Sequence, residues 1–120
     1  MFVDFHSHST FSDGTFTPKE LVKMAKDKNL QMFSITDHDN IDGQQEAFSA
    51  ATSFGVDYIA GVEISCEYPT MLDMLGYGYS LGNKYLTETL EELKKYRISR
   101  NVMMIERLNS LGIEITLEEV

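Results

Sequence analysis

Apolar positions fall into two alternating kinds of run along the first part of the chain. Short, nearly continuous ones come at Phe2-Val3 with Phe5, at Met32-Phe33-Ser34-Ile35, and at Tyr58-Ile59-Ala60 leading into Gly61-Val62-Glu63-Ile64-Ser65. Runs of that length and density predict buried strands. Between them the spacing is helical. Thr17-Pro18-Lys19-Glu20 is a capping box, with Thr17 as N-cap, Pro18 in the first helical position and Glu20 returning to the cap. Leu21, Val22 and Ala25 form that helix's inward stripe, Lys23, Lys26 and Asp27 its polar side, and Asn29 its stop. Asp42 with Gln45 predicts a second capped helix, carrying Ala47, Phe48, Ala51 and Phe54 and closed by Gly55. A weaker fourth strand is predicted over Met71 to Tyr79, interrupted by Gly76 and Gly78.

From Asn83 the pattern changes. Leu86, Leu90, Leu93, Val102, Ile105 and Leu108 mark a long helical stripe, with Gly112 as its stop. The period weakens near Arg97–Asn101, which leaves one helix or two open. Ile113-Glu114-Ile115 is too short for a strand, and Thr116-Leu117-Glu118-Glu119 is a further capping box just before the last residue. A helix announced there and not built predicts a truncated chain. The turn at Leu81-Gly82-Asn83 is the one predicted boundary, dividing βα units over 1–82 from a helical segment over 83–120.

Strand, helix, strand, helix, strand with short links is the pattern of βαβ units in a parallel sheet. Right-handed crossovers would carry the strand C-termini to one rim, where barrel enzymes build their sites. The chain's three histidines and several acids fall there. His6 and His8 follow the first strand two residues apart, so they share a face. Asp13 comes soon after, in a Ser-Asp-Gly turn that can fold back on them. Asp37 and His38 end the second strand and Glu63 the third. The competing account of any one cluster is ordinary: surface imidazoles beside an Asp-Gly turn, or a turn histidine. Three clusters on one rim favour a divalent metal.

Composition narrows the classes. The chain has 120 residues, 42% hydrophobic and 24% charged, enough for one domain with a core. It has no apolar run long enough for a membrane span. Cys66 is its only cysteine, which excludes an internal disulfide and fits a reducing cytoplasm. A net charge of −9 argues against a strong grip on duplex nucleic acid. An anionic substrate stays compatible if bound cations invert the local field.

Imidazoles and carboxylates without thiolates suit Mn²⁺, Zn²⁺ or iron. Paired ions can clamp both oxygens of a phosphoryl displacement and acidify water as the nucleophile. Ser7, Ser9, Ser12 and Ser65 have no elbow motif or dedicated base, and read as turn residues. Asp37 is less certain as a ligand and would instead orient an imidazole through its free N–H. Asp39 and Asp42 are expected to face solvent or cap the next helix. Cys66 is expected in the core, and Tyr58, Tyr68, Tyr77 and Tyr79 in packing. Arg97 and Arg100 are candidates for phosphate binding, against a simpler account as helix-face partners of Glu92 or Glu106.

The run Asp4-Phe5-His6-Ser7-His8-Ser9-Thr10 with Ser12-Asp13-Gly14, then Thr36-Asp37-His38-Asp39, then Gly61-Val62-Glu63-Ile64-Ser65, resembles the polymerase and histidinol phosphatase (PHP) superfamily. The likeness is greatest to bacterial PHP-domain phosphoesterases. It continues more weakly through Leu75-Gly76-Tyr77 and Tyr96-Arg97 with Arg100. The resemblance implies a distorted (β/α)7 TIM-like barrel, of which this chain would be the N-terminal part, followed by the start of a helical insertion. It implies up to three divalent ions, Mn²⁺, Zn²⁺ or iron. His6, His8 and Glu63 would hold one, Glu63 would bridge to a second, and Asp13 with His38 would hold the third. The substrates implied are phosphorylated small molecules or short oligonucleotides. Asp73 stands where the family usually has a histidine, which would bias the second ion toward harder metals such as Mn²⁺. The family's late Asp-x-His pair is not in this chain. Two rival expectations follow: a catalytically incomplete metal-binding fragment that self-associates through an open barrel edge, and an amidohydrolase, whose barrels also begin with His-x-His.

Overall fold

The computed structural model describes residues 2–68 and 70–119; the side chains of Glu67 and Tyr68 lie outside that description. The chain divides into two units, Met1–Lys84 and Tyr85–Val120.

In the first unit, β1 (Val3–Asp4), β2 (Met32–Phe33) and β3 (Asp57–Tyr58) form a parallel sheet in that order. The formal strands are short, but their ladder runs on toward the site. Ser34 N donates to Asp4 O, and Thr36 N to Ser7 O at 2.8 Å. Helices α1 (Pro18–Asp27) and α2 (Gln44–Phe54) supply the crossovers and pack against each other. Val22, Ala25, Phe33, Ile35, Ala47, Ala50, Ala51 and Val56 form the core between helices and sheet.

Helix α1 starts as its sequence predicts. The Thr17 side chain accepts from Glu20 N, and Thr17 N donates to the Glu20 carboxylate at 2.8 Å. Donation to that carboxylate from Thr17 N, and from Thr17 Oγ1 at 2.9 Å, holds the Glu20 carboxyl below its ordinary pKa, because both bonds favour the ionised form. Helix α2 does not use the expected Asp42–Gln45 box. Its N-cap is Gly43, with no side-chain cap, and Asp42 N donates instead to Asn40 Oδ1. Tertiary contact sets this start. A Cβ on Gly43 would meet the Phe11 ring at 2.8 Å, and the buried Gln44 amide donates to the Ile35 and Gly61 carbonyls. Gly55 closes α2 at φ 66°, a conformation that glycine adopts freely.

The expected third strand is two strands. After β3 the chain passes Ile59-Ala60 and enters β4 (Gly61–Tyr68), which turns back as β5 (Thr70–Tyr77). These pair antiparallel, from Gly61↔Tyr77 to Tyr68↔Thr70, so the fourth strand is a hairpin partner rather than another parallel strand. Gly61 is needed at the crossing, since a Cβ there would lie 2.3 Å from Ser34 Oγ. Beyond it β4 runs alongside the extension of β2, through a parallel bridge between His38 and Glu63. The fold is α/β, and the described residues form no closed barrel. Cys66 is only partly buried, contrary to its expected place in the core.

In the second unit, α3 (Lys84–Ser110) is one uninterrupted helix, which settles the question left open near Arg97. Its end is wrapped by Gly112 at φ 84°, where Gly112 N and Ile113 N return to the Asn109 and Leu108 carbonyls. The capping box at Thr116 leads into a single 3₁₀ turn, Leu117–Glu119. No described helix is long and apolar enough to cross a membrane.

Candidate metal centre

Ser7 faces β2: its hydroxyl donates to Ser34 O, and its carbonyl accepts from Thr36 N and Oγ1. His6 and His8 therefore look the other way, toward β4. His6 Nε2 and His8 Nε2 each lie 3.1 Å from Glu63 Oε2, and His38 Nδ1 lies 3.5 Å from the same oxygen. One carboxylate oxygen, on a side chain that is nearly fully buried, thus faces all three histidines. The His8 and His38 rings stack at a centroid distance of 4.6 Å.

Asp13 closes the far side. Its two oxygens lie 3.3 Å from His8 Nδ1 and 3.6 Å from His38 Nε2. Gly14 makes this approach possible, since a Cβ there would sit 2.0 Å from the His8 carbonyl oxygen. Glu63 is not at a strand end, as its sequence position suggested, but third in the eight-residue β4. Its backbone is held on both sides, by Glu63 N to Asp37 O and Asp39 N to Glu63 O. Asp73 pairs with Ser65 across the hairpin and so projects on Glu63's face.

Three overlapping groups result: His6, His8 and Glu63; His8, Asp13 and His38; His38, Glu63 and Asp73. In each, one ligand atom per residue lies within 4.8 Å of the others. The nitrogens fit a cation. His8 Nδ1 and His38 Nδ1 are buried without a hydrogen-bond partner, an arrangement that is costly unless something else uses their lone pairs. The donors are all nitrogen and oxygen, a set that accepts first-row divalent ions.

Other expected residues lie differently. Asp37 touches no imidazole. It is 1% exposed and accepts from Ser9 N, Ser9 Oγ and Ser12 Oγ, each at 2.7 Å. The two serines were the missed partners, and only their nearness to the His-x-His run hinted at them. Asp39 does not face solvent: it is buried at φ 49°, and its Oδ1 accepts from Ser65 N. Tyr77 donates to Phe5 O at 2.6 Å, tying the hairpin to the segment that carries His6. Its phenol is pushed above its ordinary pKa by burial, then by the charges of Glu63 and Asp4. Arg97 and Arg100 lie on α3 in the second unit, where Arg100 Nη2 contacts Asn101 Oδ1 rather than Glu92 or Glu106.

The chain is 35% identical over 111 residues to a 5'-3' exoribonuclease of Haemophilus influenzae, covering 92% of this chain and 40% of that protein. It is 31% identical over 112 residues to a 3',5'-nucleoside bisphosphate phosphatase of Chromobacterium violaceum, covering 92% and 39%. It thus spans about two fifths of the length of these curated relatives. A solved structure from Bifidobacterium adolescentis, described as a metal-dependent phosphoesterase, superposes at a TM-score of 0.88 and 33% identity. That match covers 98% of this chain and 41% of the other. The model of the PHP domain matches residues 4–111, and the chain belongs to the PHP domain family.

Proposed function

We propose that the chain supplies metal ligands of a phosphoesterase that hydrolyses phosphate esters of nucleotides or short nucleic acids. One observation carries this reading: three imidazoles surround Glu63 Oε2, while the buried Nδ1 atoms of His8 and His38 lack a hydrogen-bond partner and face carboxylate oxygens at 3.3 and 3.5 Å. His6, His8 and Glu63 would hold one ion. Glu63 would share a second with His38 and Asp73, and Asp13 with His8 and His38 would hold a third. The acids on this face favour Mn²⁺, with Zn²⁺ or iron as alternatives. A bound divalent cation would polarise a phosphoryl oxygen and bring the pKa of water toward neutrality.

The chain's own groups fit a reaction without a covalent intermediate. The hydroxyls of Ser7, Ser9 and Ser12 are engaged as donors to Ser34 O and Asp37, which leaves none poised as a nucleophile. Glu63 and Asp13 repel a phosphate, so cations must come first. The exoribonuclease and bisphosphate phosphatase names of the relatives support nucleotide or oligonucleotide substrates. In this reading the α/β unit is the opening part of a PHP barrel.

A second reading is metal binding without turnover, with association of copies. The exposed Met71, Leu72 and Met74 on the hairpin favour it. Assays of the Mn²⁺-loaded protein on p-nitrophenyl phosphate, a nucleoside bisphosphate and a 5'-phosphorylated oligoribonucleotide separate the two. Hydrolysis that is abolished by chelator and by His8→Ala is the expected result. A metal-loaded protein that turns over none of them and elutes as an oligomer would support the second reading.

A further inference from the structure

Asp37 is a carboxylate taken almost entirely out of water, and burying such a group is costly unless donors replace its hydration. All three donors come from one short turn: Ser9 N, Ser9 Oγ and Ser12 Oγ. The turn is further closed on Ser9 O, which accepts from Ser12 N and Gly14 N at 3.0 and 2.9 Å. Asp13 lies between those two anchors. Its own side chain is 67% exposed, and beyond the two imidazoles it meets only the Ser12 hydroxyl, at 3.4 Å. Nothing in its immediate packing fixes the carboxylate over His8 and His38. The backbone of the clamped turn does.

Asp37 also reaches the third ligand-bearing segment, because its carbonyl accepts from Glu63 N at 3.2 Å. That bond is made by the main chain and survives a side-chain substitution. The same is true of Asp39 N to Glu63 O. The flank of His8 nearest β2 is held separately, by the two bonds from Thr36 to Ser7 O. The Asp37 carboxylate therefore acts through the Ser9–Ser12 turn, on the His8–Asp13 side of the centre, while Ser7 and Glu63 are held by bonds that do not involve it.

We propose that Asp37 is a positioning residue. It clamps the Ser9–Ser12 turn so that Asp13 completes the His8–Asp13–His38 group, and it leaves His6 and Glu63 to other supports. This rests on the metal reading above. The chemistry is that of a partner which orients a ligand without touching the ion, whose loss costs roughly 10–100-fold in affinity in comparable metal sites.

The test is a Mn²⁺ titration of the protein, followed by electron paramagnetic resonance of free and bound ion. Asp13→Ala and His6→Ala identify which binding event belongs to which group. Asp37→Asn keeps the shape but removes the charge, and Ser12→Ala removes one donor from a partly exposed position that does not endanger folding. Both are expected to weaken the ion that Asp13→Ala weakens, by about tenfold or more. The ion lost in His6→Ala should be weakened far less, and Ser12→Thr should restore the first. Ser12→Ala and Asp37→Asn binding every ion normally, or weakening all of them equally, would overturn the assignment. If Asp37→Asn does not fold, the Ser12→Ala and Ser12→Thr pair carries the test alone. No Mn²⁺ bound by the unmodified protein would instead overturn the metal reading itself.

Discussion

The βα part of the first unit and the β5 strand of the hairpin are built from similar apolar side chains and treat them oppositely. In the former, Ile35, Val22 and Ala47 are sealed between helices and sheet; in the latter, Met71, Leu72 and Met74 face outward. Both parts carry candidate ligands. His6, His8, Asp13 and His38 come from loops braced by buried hydrogen bonds, whereas Glu63 and Asp73 come from the hairpin. Within the hairpin, Glu63 is buried and tied to the βα part by its main chain, and Asp73 is exposed. Stability and site geometry therefore reside mostly in the βα part, and the hairpin contributes chemistry while resting on it.

Core truncation should show the contrast most strongly. Ile35 is 1% exposed, and Ile35→Ala is expected to cost about 2–5 kcal/mol by transfer and cavity terms. Denaturant unfolding measures it. Next comes the cap of α1: Thr17→Ala should cost about 1 kcal/mol, read from the same unfolding curve. Met74, at 56% exposure, sets the lower bound, and Met74→Ala should stay within about 0.5 kcal/mol. A loss there as large as at Ile35 would mean that the hairpin is a cooperative part of the core, and the contrast would fail.

The smallest expected effect is pH-dependent. The Glu20 carboxyl is lowered from 4.5 by its bonds to Thr17, so its contribution is complete above that value. It is lost as pH falls through the lowered folded pKa. The stability difference between the protein and Glu20→Gln should accordingly shrink on acidification below about pH 4.5. A difference that grows on acidification would reverse the sign of this interaction.

Local signals read well from sequence. Thr17-Pro18-Lys19-Glu20 and Gly55 act within one turn of chain, and their geometry follows from adjacent residues alone. The His-x-His spacing was equally legible, because Ser7 turns toward β2 and leaves its two neighbours facing Glu63 together. What escaped depends on segments far apart in sequence. The start of α2 is decided by Phe11 and by the carbonyls that Gln44 reaches, not by Asp42. The split at Ile59-Ala60 follows from Gly61 crossing against Ser34. Asp39 reads as a solvent-facing acid until Ser65 is brought to it, and Asp37 as an imidazole's partner until the serine turn folds onto it.

Everything functional rests on the Glu63 oxygen that the three imidazoles share. Metal content after exposure to Mn²⁺ or Zn²⁺ and gel filtration, compared between the protein and Glu63→Gln, tests it most directly. The account predicts at least one ion retained per chain by the unmodified protein and a large loss in Glu63→Gln, with the fold intact by circular dichroism. Equal metal content in the two, or none in either, would contradict it.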